Sequence, residues 1–266
     1  MCRCRYRLLG MILLLAGLTC PGVQAANEVL IAAAPFPPYV INSKDDSHRD
    51  LLTELVDALN REQSTYHFDL RATSLNRRFK DLREGRVDMV IFENPKWGWQ
   101  SIAGARIDLG LDDAEIRVAR AEAGRDERYF DDFTSKRLAL FSDYHYGFAG
   151  FNSNPVWLKQ HFRVSFTYSY ASNLEMLLRG RVDATLLTRS WLETRIREQP
   201  ELRQQLLISA QEDQRYKHYA IIRPQAPIKA EDFRQIMQRL REKGELQRIF
   251  APYSITVRAS EAVTDQ

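Results

Sequence analysis

Cysteine is almost missing from this chain. Of 266 residues three are cysteine, and all of them (Cys2, Cys4 and Cys20) fall in the first 20. Past that point neither a disulfide framework nor a cysteine metal site can form, so the fold must be held by its apolar core. A membrane-spanning run is missing too. Leu8 to Leu18 is apolar but far short of the roughly 20 residues that a spanning helix needs, and no run near that length follows. Histidine is sparse, with His48, His67, His145, His161 and His218 at spacings that suit no zinc site. Charge of one sign is missing once the first 25 residues are set aside. They hold Arg3, Arg5 and Arg7 and no acid, so the formal charge of +3 over the whole chain falls to zero in residues 26–266. With that basicity goes the main support for a nucleic-acid partner.

What is present begins with an address. The basic start, the short apolar stretch and the small-residue ending Val23-Gln24-Ala25 read as a secretory signal peptide over residues 1–25, cut after Ala25. Acylation of Cys20 as a lipoprotein is the alternative, disfavoured by Thr19 before it and Pro21 after it. A cleaved leader implies a periplasmic location. The remaining chain suits one large or two modest domains.

One phrase occurs twice. Leu82-Arg83-Glu84-Gly85-Arg86-Val87-Asp88-Met89 returns as Leu178-Arg179-Gly180-Arg181-Val182-Asp183-Ala184, and each copy runs on into an apolar stretch, Val90-Ile91-Phe92 or Thr185-Leu186-Leu187. Helix, tight turn and buried strand, used once in each of two lobes, is the reading. Two facing lobes make a cleft, where small ligands bind.

The segments around the repeat agree. Val29 to Ala34 reads as a strand, left by the stiff Pro35-Phe36-Pro37-Pro38-Tyr39 loop. Leu51, Leu52, Leu55, Val56 and Leu59 share a helical face, with Ser47 and Asp50 as its capping box. Tyr66 to Ala72 alternates as a strand, Leu75, Phe79 and Leu82 mark a helix, and Val87 to Phe92 is a strand again. This is βαβαβ, which implies parallel pairing. Ala114 to Ala119 reads as a strand crossing to the second lobe. There, Arg137 to Phe141, Val164 to Tyr168 and Asp183 to Leu187 are strands, and Ser172 with Glu175 caps the helix of Leu174, Leu177 and Leu178. His218 to Arg223 returns to the first lobe, Phe233, Ile236, Met237 and Leu240 line a last helix stopped by Gly244, and the chain frays after Tyr253. With no low-complexity linker between the halves, two crossing strands join them.

Together these segments resemble the periplasmic solute-binding proteins of family 3, the amino-acid type of ABC-transporter substrate-binding protein. The resemblance is carried by Phe36-Pro37-Pro38-Tyr39 after the first strand, by Leu82 to Ile91 and Gly180 to Leu187, and by Leu240 to Tyr253. It implies an α/β, two-lobe periplasmic-binding-protein-like (type II) fold, each lobe a mainly parallel sheet flanked by helices. Residues 26–118 and 220–255 would form lobe 1, 119–219 lobe 2, and 256–266 a flexible tail. It further implies a monomer without cofactor that closes on a small-molecule solute, with an inner-membrane ABC permease or a sensor protein as partner.

The departures fall where that family holds its ligand. After the third strand its α-amino-acid binders carry an arginine for the ligand carboxylate; here Glu93 to Gln100 contain none, and the next arginine is Arg106. Where the second lobe has an aspartate for the ligand ammonium, this chain has Thr188-Arg189-Ser190. The candidate ligand contacts are therefore Phe36, Tyr39, Glu93, Asn94, Trp97, Trp99, Tyr144, Tyr146, Thr188 and Arg189, an aromatic set of mixed charge that suits a polar, aromatic or cationic solute. Phe36, Phe92 and Trp191 also suit plain core packing. Asp88 and Asp183 read as turn structure, and Arg77 and Arg78 as a solvated helix face. Catalysis, as in a cyclohexadienyl dehydratase on this scaffold, would need Glu93 or His145 as acid or base. No nucleophile–base motif accompanies them, so binding is the reading.

Overall fold

The computed structural model describes residues 26–41 and 50–259. The expected signal peptide and Ser47 lie outside them. Along the chain, β1 (Asn27–Ala33), α1 (Leu51–Glu62), β2 (Tyr66–Ala72), α2 (Arg77–Arg83) and β3 (Met89–Glu93) alternate as expected, and β1 pairs in parallel with both β2 and β3. The long β4 (Ala105–Arg120) follows. Then β5 (Arg137–Phe141), α3 (Pro155–His161), β6 (Arg163–Thr167), α4 (Tyr170–Leu178) and β7 (Ala184–Thr188) repeat the pattern, with β5 parallel to β6 and β7. α5 (Arg189–Glu198) and α6 (Leu202–Gln205) lead to a second long strand, β8 (Leu206–Ile222), and α7 (Ala230–Glu242), α8 (Glu245–Phe250) and β9 (Thr256–Val257) close the description.

β4 and β8 run antiparallel through the middle of one continuous sheet, in the order β2-β1-β3-β8-β4-β7-β5-β6. Each serves two cores. Ile107, Leu109 and Leu111 of β4 pack with Leu51, Phe68, Phe233 and Phe250, whereas Ala114, Ile116 and Val118 pack with Leu138, Phe141, Leu177 and Leu187. The segments read from sequence as Ala114–Ala119 and His218–Arg223 are thus the far ends of strands of 16 and 17 residues. Polar residues within both strands (Asp108, Asp112, Asp113, Gln211 to Arg215) had masked their full length.

Local chemistry explains the elements. α1 buries Leu51, Leu52, Leu55, Val56 and Leu59 and is capped by Asp50, whose Oδ1 accepts from Thr53 N at 2.8 Å; the Ser47 half of the expected box lies outside the described residues. α4 starts one turn earlier than its expected capping box, because Ser169 accepts from Ser172 N. The segment expected to fray after Tyr253 adds β9, which pairs with Leu111 and Asp112, and Arg258 N then donates to Gly110 O at 2.8 Å. Arg258 also bonds Asp108 and Asp112, so ion pairing holds what apolar content does not.

The repeated phrase has a repeated geometry. Gly85 and Gly180 both take φ of +69°, a conformation open to glycine at little cost. Asp88 N donates to Leu30 O at 2.7 Å while its Oδ2 accepts from Leu30 N at 2.8 Å. Asp183 does the same with Arg137, at 2.8 and 2.7 Å. Each aspartate also pairs with an arginine, Arg223 or Arg137. The aspartates, read from the sequence as turn structure, have a structural role and bond the neighbouring strand at Leu30 and Arg137. Asp88 is the drier one, its side chain 9% exposed against 27% for Asp183. Asp88→Ala leaves Leu30 N without its partner and is expected to cost about 1–3 kcal/mol, with Asp183→Ala costing clearly less. Urea denaturation of the two variants checks this, and equal losses would show that burial does not set the worth of the anchor.

Candidate functional site

The ends of β1, β3 and β5 meet the crossing strands at one point, and a cavity lies there. Phe36 and Val40 from the loop after β1, Arg78 of α2, Phe92 and Glu93 of β3, and Trp97 line it from one lobe. Asp143, Tyr144 and His145 after β5 line it from the other, with Glu115 of β4 and Gln214 of β8 between. Ligands of α/β sheets sit beyond the carboxyl ends of strands for the same reason: there the chain leaves the ladder and side chains are free to converge. Phe92 and Asp143 both hold φ near +64°, rare for residues with a side chain, and such strain clusters at functional sites. At Phe92 the β3–β8 register slips, which turns Glu93 inward.

The cavity is drawn tight. Its volume is about 40 Å³, against roughly 300–1,000 Å³ for pockets that enclose small molecules. Phe36 meets Trp97 and Tyr144 edge to face at 5.7 and 5.5 Å, and Tyr144 OH donates to Pro35 O across the lobes at 3.4 Å. Further bolts stand around it. Tyr39 of one lobe and Ser190 of the other both donate to Asp113 Oδ2, at 2.7 and 2.6 Å, and Thr188 Oγ1 donates to Pro37 O at 3.3 Å. Trp97 Nε1 donates to Gln214 at 3.2 Å, and Gln214 in turn to His145 O at 2.6 Å. As it stands, the cavity has no room for a solute of amino-acid size.

Charge is arranged unevenly. Arg78 is buried and forks onto Glu93, at 2.5 Å from Nε and 3.2 Å from the second nitrogen, and Trp99 Nε1 donates to the same carboxylate at 2.7 Å. That pair neutralises itself. Glu115 does not: it is 2% exposed, accepts only a long 3.3 Å bond from Tyr170 OH, and has no cation beside it among the described residues. Burial first, then the nearby Asp213 and Asp113, push its carboxyl well above the ordinary range. His145 is held neutral, its pKa lowered to about 4 by burial and by Arg78. Behind Phe36 and Trp97 lies His218, fully buried among aromatic rings, with burial driving its pKa down to about 3.

Of the sequence-predicted residues, Phe36, Glu93, Trp97 and Tyr144 come together on the cavity. The others do not line it. Tyr39 faces Asp113, Asn94 bonds the Lys217 carbonyl, and Trp99 packs on Phe79 behind Glu93. Tyr146 is core, its OH bonded to the Phe141 backbone, Thr188 caps α5, and Arg189 pairs with Glu212. Arg78, read as a solvated face, is 3% exposed and on the cavity instead, because Glu93 draws it in. Glu115, Asp143 and Gln214 were missed. For Glu115 a signal existed: a lone carboxylate inside the Ala114–Ala119 run read as a buried strand.

No protein-family model matches the sequence, and no curated protein matches it. Solved structures do. The substrate-binding protein of a Streptococcus pneumoniae ABC uptake transporter, with bound histidine, superimposes with a TM-score of 0.67 over 88% of this chain and 95% of its own, at 16% identity. The chain has the two-lobe periplasmic-binding-protein fold. The GluR0 ligand-binding core of Nostoc punctiforme with L-glutamate (TM-score 0.64, 14% identity, 85% of this chain and 98% of that one) and a histidine kinase sensor domain similar to periplasmic binding proteins (0.62, 17%, 86% and 96%) share it. The first of these neighbours is a substrate-binding protein, the second a ligand-binding core and the third a sensor domain. Among the described residues no helix is long and apolar enough to cross a membrane.

Two outcomes follow from the site's electrostatics. Arg78→Met strands a buried carboxylate and is expected to cost about 3–5 kcal/mol, much of it recovered in the Arg78→Met/Glu93→Gln double variant; chemical denaturation reads both, and an unrecovered double variant would assign the loss to packing. His218 takes up a proton more readily unfolded than folded, so its contribution is intact above about pH 6.5 and is lost as the pH falls towards 3. The melting temperature of His218→Phe should therefore gain on that of the parent protein as the pH drops from 7 to 4. A constant difference would mean that His218 titrates alike in both states.

Proposed function

We propose that this protein binds a small amine-bearing solute by closing its lobes over it, with Glu115 as the group that receives the ammonium. The observation that carries this is the uncompensated carboxylate of Glu115 at the wall of the inter-lobe cavity. A buried carboxylate without a cation is costly to ionise, and a solute cation removes that cost. Asp143 adds a second acid to the lining, while Arg78 is already matched by Glu93. Phe36, Trp97 and Tyr144 supply ring edges and faces for the body of the solute. In this reading Glu93, read from the sequence as a ligand contact, positions Arg78, and Tyr39, Asp113, Ser190 and Thr188 hold the closed state. Closure is then a population shift driven by the solute's contacts with both lobes.

Two of the structures it resembles are substrate-binding proteins of ABC transporters, one of them an uptake transporter, and another is a sensor domain. A periplasmic receptor that delivers its solute to an ABC permease is the main reading; a receptor that reports to a sensor protein needs the same cleft and the same closure. Nothing in the lining joins a nucleophile to a base, so binding is favoured over catalysis.

Isothermal titration with L-histidine, L-arginine, putrescine, phenethylamine and acetate tests this. Amines should bind and acetate should not, and Glu115→Gln should weaken the amines by about 2 kcal/mol or more. Burial strengthens the hold of the Glu115 carboxyl on a proton and an arriving ammonium weakens it, so binding should release protons and the heat should differ between phosphate and Tris by the buffers' ionisation enthalpies. Binding that is indifferent to Glu115→Gln and releases no proton would sink the assignment.

A further inference from the structure

The wall that carries Glu115 also carries a cation that is already taken. Arg78 lines the cavity and is 3% exposed, and each nitrogen of its guanidinium has a partner inside the protein. Nε donates to Glu93 Oε1 at 2.5 Å, Nη2 to Glu93 Oε2 at 3.2 Å, and Nη1 to the Leu75 carbonyl. The guanidinium carbon stands 4.3 Å from the centre of the Phe79 ring and 5.6 Å from that of Trp99. A two-pronged fork of this kind is how a guanidinium holds the carboxylate of a ligand. Here an internal carboxylate sits in that place. Glu93 reaches it through an uncommon backbone, with φ of +64° at Phe92 and a register slip against β8. A buried ion pair is often no more stabilising than apolar residues of like volume, so folding alone does not account for a strained turn that brings one to a cavity wall. The charges of the lining point the same way. Three acids, Glu93, Glu115 and Asp143, stand against one arginine and no lysine, and His145 is neutral.

We propose that Glu93 is a specificity-determining residue: it fills the carboxylate position on Arg78, so that the cavity favours an amine without a carboxylate over the amino acid that carries one. The ammonium end of this solute rests on the Glu115 reading, whereas the discrimination rests on Arg78 and Glu93. Specificity can be built from an unpaired charge held against the wrong solute. A solute carboxylate that took Arg78 would leave Glu93 buried without its cation. One that did not would lie among three acids, and like charges brought together across an interface are costly. An amine without a carboxylate meets neither penalty. The solute class is therefore the amine that remains when an amino acid loses its carboxyl group. Amino acids such as L-histidine and L-arginine bind through their ammonium groups, more weakly than the matching amines.

Calorimetry with pairs that differ by one carboxylate tests this: phenethylamine and L-phenylalanine, histamine and L-histidine, putrescine and L-ornithine. In the parent protein the amine of a pair that binds should be about tenfold or more tighter than its amino acid. Glu93→Gln keeps the shape of the side chain and removes its charge, and should shrink that ratio by about tenfold. The gain should vanish in Arg78→Met/Glu93→Gln. A second measurement needs neither a solute of the right shape nor Glu115. Glu93→Ala vacates the position on Arg78, so sodium formate should raise its melting temperature above that in equal sodium chloride, or restore folding where the variant fails to fold without it. The parent protein and Arg78→Met/Glu93→Ala should show no such response. Formate that stabilises Glu93→Ala no more than the other two overturns the proposal, and it decides alone should no compound of the panel bind. Parent protein that binds amino acids as tightly as amines overturns it too, as does a ratio that Glu93→Gln leaves unchanged, even where Glu115→Gln still weakens the amines. Conversely, amino acids that gain on Glu93→Gln while no amine depends on Glu115 would uphold the role of Glu93 and remove the ammonium reading.

Discussion

The pairing of β4 with β8 is the constraint on which everything else in this molecule rests. Both strands are too long to belong to one core, and each contributes apolar side chains to two. That forces the polar residues between the two apolar blocks, Asp113, Glu115, Asp213 and Gln214, into the space where the lobes meet. There is no solvent to receive them and little opposite charge. Asp113 is satisfied by hydroxyls from both lobes, and Asp213 by the Gly147 and Phe148 amides and Arg117. Glu115 is left over, and the left-over carboxylate defines the chemistry of the cavity.

In the proposed reading, the same constraint makes closure and recognition one event. The bonds that hold the lobes together, Tyr39 and Ser190 on Asp113 and Trp97 on Gln214, begin or end on the crossing strands, within a few residues of the groups that line the cavity. A solute that ionises Glu115 changes the field around Asp113 and Asp213 directly, since these carboxyls already act on one another.

Much of the fold was legible in the sequence and only part of the site. Period-two and period-3.6 patterns are strong where one face is buried, as in β1, α1, β5 and α7, and the doubled Gly-Arg-Val-Asp phrase gave the two-lobe arrangement. The crossing strands were read at half length, because strands buried where two lobes meet carry acids that look like loop. α3 and α5 were not foreseen: α3 is a two-turn helix started by Asn154 and Pro155, and α5 has few apolar positions. For the site, aromatic residues at strand ends were a sound guide to the neighbourhood, and Phe36, Trp97 and Tyr144 converge. Which aromatic faces the cavity and which backs it depends on side-chain direction, so Tyr39, Trp99 and Tyr146 could not be told from their neighbours. Arg78 was invisible for another reason. Its burial is set by Glu93, 15 positions away, and no local pattern encodes a tertiary ion pair.

The small strand β9 carries a consequence for how the molecule is made. It pairs with β4 at Leu111 and Asp112, and α7 and α8 complete the core that β1 and α1 begin. A chain synthesised from its amino terminus therefore finishes its first lobe last, after the whole of the second has emerged. Contacts of such sequence separation form slowly. A chain with this topology leaves its first core open until its final segment is released.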